Sequence, residues 1–81
     1  MQVLYFSWLR ERVGAASEEI ETGAATAGEL VRELVERDER YAAAFSDLRA
    51  LRVAVDQQMA DLDTSIAGAR EVAFFPPVTG G

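Results

Sequence analysis

The segment that opens at Thr26 constrains this chain more than any other. Glu29 follows Thr26 at the spacing of a capping box. In that arrangement the threonine hydroxyl accepts from the Glu29 amide, and the glutamate reaches back to the threonine amide. Leu30, Val31, Leu34 and Val35 then form one apolar stripe at helical spacing. Glu33 with Arg37, and Glu36 with Arg40, make favourable i,i+4 pairs on the wet side, which predicts helix as far as Arg40. A helix with a single apolar stripe must bury it. The rest of the chain offers mainly short strand-like runs, so the stripe is expected to pack on a sheet and the helix to serve as scaffold.

Gln2–Trp8 (QVLYFSW) reads as a strand that is apolar on both sides, Val3 and Tyr5 on one, Leu4, Phe6 and Trp8 on the other. Such a strand is either covered on both faces or keeps one face for a partner. Leu9–Val13 reads as a short helical turn stopped by Gly14. Ser17–Thr22 is charged and suits an edge strand. Tyr41–Phe45 suits a second short helix. Leu51–Val55 alternates as a strand, Asp56-Gln57 as a turn, and a short extended piece follows around Met59–Leu62. Gly68-Ala69-Arg70 is another turn. Glu71–Phe75 is the last strand, with Val72 and Phe74 facing opposite to Ala73 and Phe75. The predicted class is α+β: a mixed sheet with one main helix across one face. If the first and last strands are neighbours, the uncovered face exposes Leu4, Phe6 and Phe75, a patch most simply used for docking. The competing reading is that loops cover these side chains.

With 81 residues, the chain suffices for one small domain, and 49% hydrophobic residues mark it as folded. No apolar run suits a bilayer and no signal peptide is expected, so the predicted location is the cytoplasm. The net charge of −6 argues against nucleic acid and anionic membranes and favours a partner with a basic docking surface. There is no Cys and no His, which removes disulfides, the usual zinc sites, thiol nucleophiles and imidazole bases. No metal site is expected: Asp61 and Asp63 lack the remaining ligands of a calcium loop and read as turn and cap residues. All eight basic residues are Arg. An activated acyl group on this chain would therefore meet no lysine on its own kind, and arginine stays protonated and poorly nucleophilic.

The strand at 71–75 runs into Pro76-Pro77-Val78-Thr79-Gly80-Gly81. Two prolines cannot continue a ladder and favour an extended exit. Six extended residues reach roughly 20 Å at about 3.3–3.6 Å each. Gly80 and Gly81 have no side chains, so they can thread a narrow channel and leave the terminal carbonyl unhindered. The expected organisation is a head over residues 1–75 and a tail over residues 76–81. The tail ends in a carboxylate that is inert to nucleophiles until activated, for instance as an acyl-adenylate.

The closing run Glu71 to Gly81 (EVAFFPPVTGG) resembles the C-terminal signature of the small, sulfur-carrying subunits of molybdopterin synthase. Leu4-Tyr5-Phe6 followed by Leu9-Arg10-Glu11 and Gly14 resembles the start of that family. Val53-Ala54-Val55-Asp56-Gln57 resembles its third strand and turn, although Asp56 stands where the family often has Asn. The resemblance spans essentially the whole chain. It implies a ubiquitin-like β-grasp fold of about five strands. It implies that Gly81 is adenylated by a ubiquitin-activating-type enzyme using ATP, and that a sulfurtransferase converts the adenylate to a thiocarboxylate. Pro76, Pro77, Val78, Thr79 and Gly80 would then thread the active site of the large synthase subunit, where the sulfur passes to cyclic pyranopterin monophosphate. Phe6, Met59 and Phe75 match family positions that contact the large subunit. The implied assembly is a heterotetramer, and the chain itself is no enzyme and binds no cofactor.

Three other readings stand beside this one. The first is a carrier for tRNA thiolation or thiazole synthesis, although thiazole carriers lack the Phe74-Phe75-Pro76-Pro77 run. The second is a modifier conjugated to target lysines. The third is a plain binding module whose Gly-Gly end is accidental.

Overall fold

The computed structural model describes residues 1–77. Its elements are β1 (Gln2–Tyr5), α1 (Trp8–Val13), β2 (Ser17–Glu19), α2 (Ala27–Arg37), α3 (Glu39–Ala44), a 3-10 turn (Leu48–Ala50), β3 (Arg52–Val55), β4 (Gln58–Ala60) and β5 (Glu71–Phe75). The strands form one mixed sheet in the order β2-β1-β5-β3-β4. β5 runs parallel to β1 and antiparallel to β3, β1–β2 pair antiparallel across α1, and β3–β4 form an antiparallel hairpin. This is the α+β, β-grasp arrangement, and the charged β2 lies at an edge as expected.

The capping box forms as the sequence predicts. Thr26 Oγ1 accepts from the Glu29 amide at 3.2 Å, and the Glu29 carboxylate accepts from the Thr26 amide at 3.2 Å. Two further amides at this helix start find their acceptors in the β4–β5 loop: Ala27 N–H donates to the Thr64 carbonyl at 3.1 Å and Gly28 N–H to the Leu62 carbonyl at 2.7 Å. The loop is thereby fastened to the helix, and the orphan donors of the first turn are satisfied. Ala27, Leu30, Val31 and Leu34 are buried. A buried leucine contributes about 1.5–3 kcal/mol of hydrophobic stabilisation, so this stripe is a major part of the core.

The sequence reading runs this helix too far. It ends at Arg37, because Asp38 adopts extended backbone and caps the next helix, its carboxylate accepting from the Arg40 amide at 3.0 Å. The Glu33–Arg37 ion pair forms at 3.4 Å, but the Glu36–Arg40 pair does not. Arg40 instead reaches Glu18 at 3.3 Å. The first strand is also shorter than predicted. It ends at Tyr5, and Trp8 belongs to α1, half-buried with the Arg12 guanidinium 4.7 Å over its ring.

The core lies between the helices and one face of the sheet. Val3, Tyr5, Val53, Val72 and Phe74 project into it. Phe45 from beyond α3 meets Phe74 edge-on, ring centroids 5.0 Å apart. α1 and α3 clasp each other through two arginines: Arg12 donates to the Ala43 carbonyl at 3.2 Å, and Arg40 to the Val13 carbonyl at 3.4 Å. The hydroxyls of the buried Tyr5 and Tyr41 converge on one oxygen of Glu18, at 3.0 and 2.6 Å. Burial first, and the Glu18 carboxylate second, raise both hydroxyls above the usual tyrosine range, so both remain donors.

Candidate functional site

Every second residue of the sheet faces away from the helices. The register places Leu4 beside Ala73, Ala73 beside Ala54, and Ala54 beside Met59. A single row thus crosses four strands on the uncovered face, two alanines in its middle and a larger apolar side chain at each end. One step further along β5, Phe75 stands opposite Arg52. The ladder continues to Phe6, whose N–H donates to the Phe74 carbonyl at 3.1 Å, and strand alternation puts its ring on the side opposite buried Tyr5.

Phe6 is 47% exposed and Met59 69%, while Phe75 is half-buried. Met59 is therefore a surface side chain rather than a core one. Phe6, Met59 and Phe75 share the uncovered face, with Leu4 half-buried among them. Trp8, assigned to this face by sequence alternation, lies in α1 and packs against the core cluster instead. The reason is Ser7. Its backbone takes φ 57 and ψ −134, which ends the strand and starts the helix. A residue other than glycine held there stores about 1–3 kcal/mol of strain. Its hydroxyl makes no capping hydrogen bond in return.

The charged groups of this face are segregated. Glu19 and Glu71, each in register with uncharged Gln2, lie at one end, and Arg52 sits at the other, beside Phe75. Arg52 is exposed, and its Nη1 donates to the carbonyl of Leu51 at 3.1 Å. Among the described residues it takes part in no ion pair.

β5 is held at both ends. At its start, Asp56 Oδ1 accepts from the amides of Arg70 and Glu71, at 2.9 and 3.0 Å, and the Asp56 amide donates to the Glu71 carbonyl at 2.9 Å. Asp56 and Gln57 both have positive φ, as a two-residue hairpin turn between Val55 and Gln58 requires. At its end the ladder stops where Pro76 brings no N–H. Pro76 and Pro77 are half-buried. The remaining predicted tail residues, Val78, Thr79, Gly80 and Gly81, lie outside the described residues.

Asp61 is used locally, its Oδ1 accepting from the Asp63 amide at 2.8 Å and the Thr64 hydroxyl at 3.2 Å, in keeping with a turn residue. Among the described residues, no group of three or more potential ligand side chains could hold a metal ion, and no helix is long and apolar enough to cross a membrane. Sequence reasoning overlooked Arg52 and Ser7. Arg52 was discoverable, as the polar step of an alternating strand whose apolar steps face the core. Ser7 carried no such signal, because nothing local announces a strained serine.

Comparison with known proteins adds to this geometry. A family model described as the ThiS family matches residues 3–81. The molybdopterin synthase sulfur carrier subunits of Haemophilus influenzae and Escherichia coli are 35% and 37% identical over 81 residues, covering 100% of this chain and 99% of each relative. Among solved structures, the small archaeal modifier protein 1 of Haloferax volcanii superposes with a TM-score of 0.77 at 26% identity, covering 96% of this chain and 97% of that one. A putative molybdopterin converting factor subunit 1 from Pyrococcus furiosus gives a TM-score of 0.70 at 27% identity, with 95% of each chain covered.

Proposed function

The chain belongs to the ThiS family, and from that premise we propose that it is the sulfur carrier subunit of a molybdopterin synthase, working in molybdenum cofactor biosynthesis. The observation that carries the reading is the full-length similarity to two curated subunits of that name. The geometry supports it: a sheet face left bare by the helices, bearing Phe6, Met59 and Phe75, adjoins the strand from which the tail departs.

On this reading residues 1–75 are a head and residues 76–81 a tail that delivers chemistry made elsewhere. An ATP-dependent activating enzyme joins the Gly81 carboxylate to AMP and releases pyrophosphate. The outer sulfur of a sulfurtransferase persulfide then displaces AMP from the acyl carbon, and a thiol reductant cleaves the resulting acyl disulfide to leave a Gly81 thiocarboxylate. The head docks on the large subunit through Phe6, Met59 and Phe75. Pro76, Pro77, Val78, Thr79 and Gly80 carry the thiocarboxylate into that subunit's active site, where it is the nucleophile that donates sulfur to cyclic pyranopterin monophosphate. The chain itself needs no cofactor and works in the cytoplasm. A sulfur carrier without cysteine must hold its sulfur on another atom, and the terminal acyl group serves.

Intact mass spectrometry tests the loading step. After incubation with ATP, an activating enzyme and a sulfur donor, the C-terminal peptide should gain the mass difference of sulfur for oxygen, and an unchanged peptide refutes the carrier. Adding one residue beyond Gly81 should abolish loading and leave folding intact. The likeness to a small archaeal modifier protein gives the lysine-modifier reading a specific footing. Isopeptide adducts on cellular proteins, in place of a thiocarboxylate, would favour it.

A further inference from the structure

We propose that Arg52 is the charged recognition point of the uncovered face and that the large synthase subunit presents a carboxylate to it. The inference deepens the docking reading above and rests on it. Arg52 is the direct cross-strand partner of Phe75, so the two side chains share a face as adjacent pairs in a sheet do. A surface that covers Phe75 cannot avoid Arg52. The guanidinium cannot be deprotonated, so desolvating it without an anionic partner is costly. Among the described residues that partner is not supplied. Arg52 takes part in no ion pair among the described residues, and its one hydrogen bond goes to the Leu51 carbonyl. Asp61, just beyond β4, spends its Oδ1 on Asp63 and Thr64. Glu71 belongs to the other end of the face, opposite Gln2. Among the described residues, four of the guanidinium's five donors thus remain available for a planar, two-pronged acceptor, the geometry that a carboxylate offers.

The proposal reverses a simple expectation from charge. A chain with a net charge of −6 suggests a basic partner, yet the apolar end of its bare face carries an arginine. The partner surface should therefore be mixed, apolar against Phe6, Met59 and Phe75, and acidic at one point.

The test is the affinity of the purified chain for the purified large synthase subunit, measured by titration calorimetry at two salt concentrations. Arg52→Met keeps the aliphatic stem and removes the charge; Arg52→Glu reverses it; Phe75→Ala is the control for docking. We expect Arg52→Met to weaken binding about tenfold and to flatten its salt dependence, and Arg52→Glu to weaken it further. If Arg52→Met binds as tightly as the native chain or tighter, the acidic contact is refuted. If Phe75→Ala also leaves the affinity unchanged, the docking reading falls with it. A loss for Phe75→Ala alone leaves docking in place and overturns only the role of Arg52. Both Arg52 variants sit at an exposed position, and an unchanged melting temperature separates lost recognition from lost folding.

Discussion

Replacing Glu18 is the sharpest test of how this small head is held together. Tyr5 and Tyr41 are each 1% exposed, and their hydroxyls share Glu18 Oε1 as acceptor. Arg40 binds the second carboxylate oxygen at 3.3 Å. Glu18→Ala therefore leaves two buried donors without their acceptor, each worth about 1–3 kcal/mol. Glu18 is itself 19% exposed, so water can enter the vacated space and recover part of the loss. A net cost of about 3 kcal/mol follows, and at about 4–8 °C per kcal/mol for a domain of this size the melting temperature should fall by about 12–24 °C. Glu18→Gln keeps a carbonyl acceptor and loses only the charge-assisted part, so its cost should be about half as large. Thermal melts at neutral pH measure both. An Ala variant that melts within about 5 °C of the native chain, or a Gln variant worse than Ala, would refute the assignment of this carboxylate as the organising acceptor.

The same cluster has a pH signature whose sign is fixed. Both tyrosines have raised hydroxyl pKa values in the folded state, because of burial and then the adjacent carboxylate. The unfolded chain therefore loses these protons first, near the ordinary value of about 10. The stabilisation is fully present below that pH and declines as the pH rises above it. Native protein should lose melting temperature between about pH 9 and 11, and Tyr41→Phe should lose less over that interval, despite starting lower. Equal slopes for the two proteins would contradict the raised pKa.

Other substitutions read single features. Ser7→Gly should raise the melting temperature: it relieves about 1–3 kcal/mol of strain at φ 57 against about 0.4–1 kcal/mol of added unfolded-state entropy, and no hydroxyl cap is lost. A fall would show that the serine is not strained. Gly28→Ala should not give the gain of about 1 kcal/mol usual for a helical glycine, because the new Cβ would lie 3.0 Å from the Leu62 carbonyl oxygen that the Gly28 amide already binds. A stabilised Ala variant would mean that the loop yields freely. Asp56→Ala should cost about 1–3 kcal/mol in a denaturant melt, through two lost hydrogen bonds and an unfavourable positive φ, whereas Asp56→Asn keeps the acceptor and should be close to neutral.

The elements that were legible in the sequence are those whose causes are local. The capping box at Thr26 and Glu29, the stop at Gly14, the turn at Asp56-Gln57 and the alternation of Glu71–Phe75 are all set by residues within a few positions of one another. The errors arose where a distant group decided the outcome. Arg40 has a good helical partner in Glu36, but Asp38 caps a new helix and Glu18 captures the guanidinium from across the fold. Trp8 alternates correctly with Phe6, but the turn at Ser7 hands it to α1. Nothing in the sequence near Gly28 announces the approach of the β4–β5 loop, which the structure places against it. Within the candidate site, Phe6 and Phe75 could be placed on one face from alternation, since β1 and β5 proved to be neighbours. Arg52 entered the site only through register, which pairing across strands determines.

On the sulfur-carrier reading, the placement of β5 lets a small head carry a tail on which other proteins act. β5 is the central strand, paired with β1 on one side and β3 on the other, with Val72 and Phe74 in the core. Releasing it would break both ladders and open the core together, so it belongs to the most stable class of local unfolding events. Asp56 ties its first residues to the hairpin turn, and Phe75, its last, meets Arg52 on the bare face. On the sulfur-carrier reading, the enzymes that activate and empty the terminus can pull on the tail without unravelling the sheet. The proposed docking residue Phe75 is the last residue of the same strand. A tail rooted on an edge strand such as β2 would have a single ladder behind it. Its direction would then vary with every local opening of that edge.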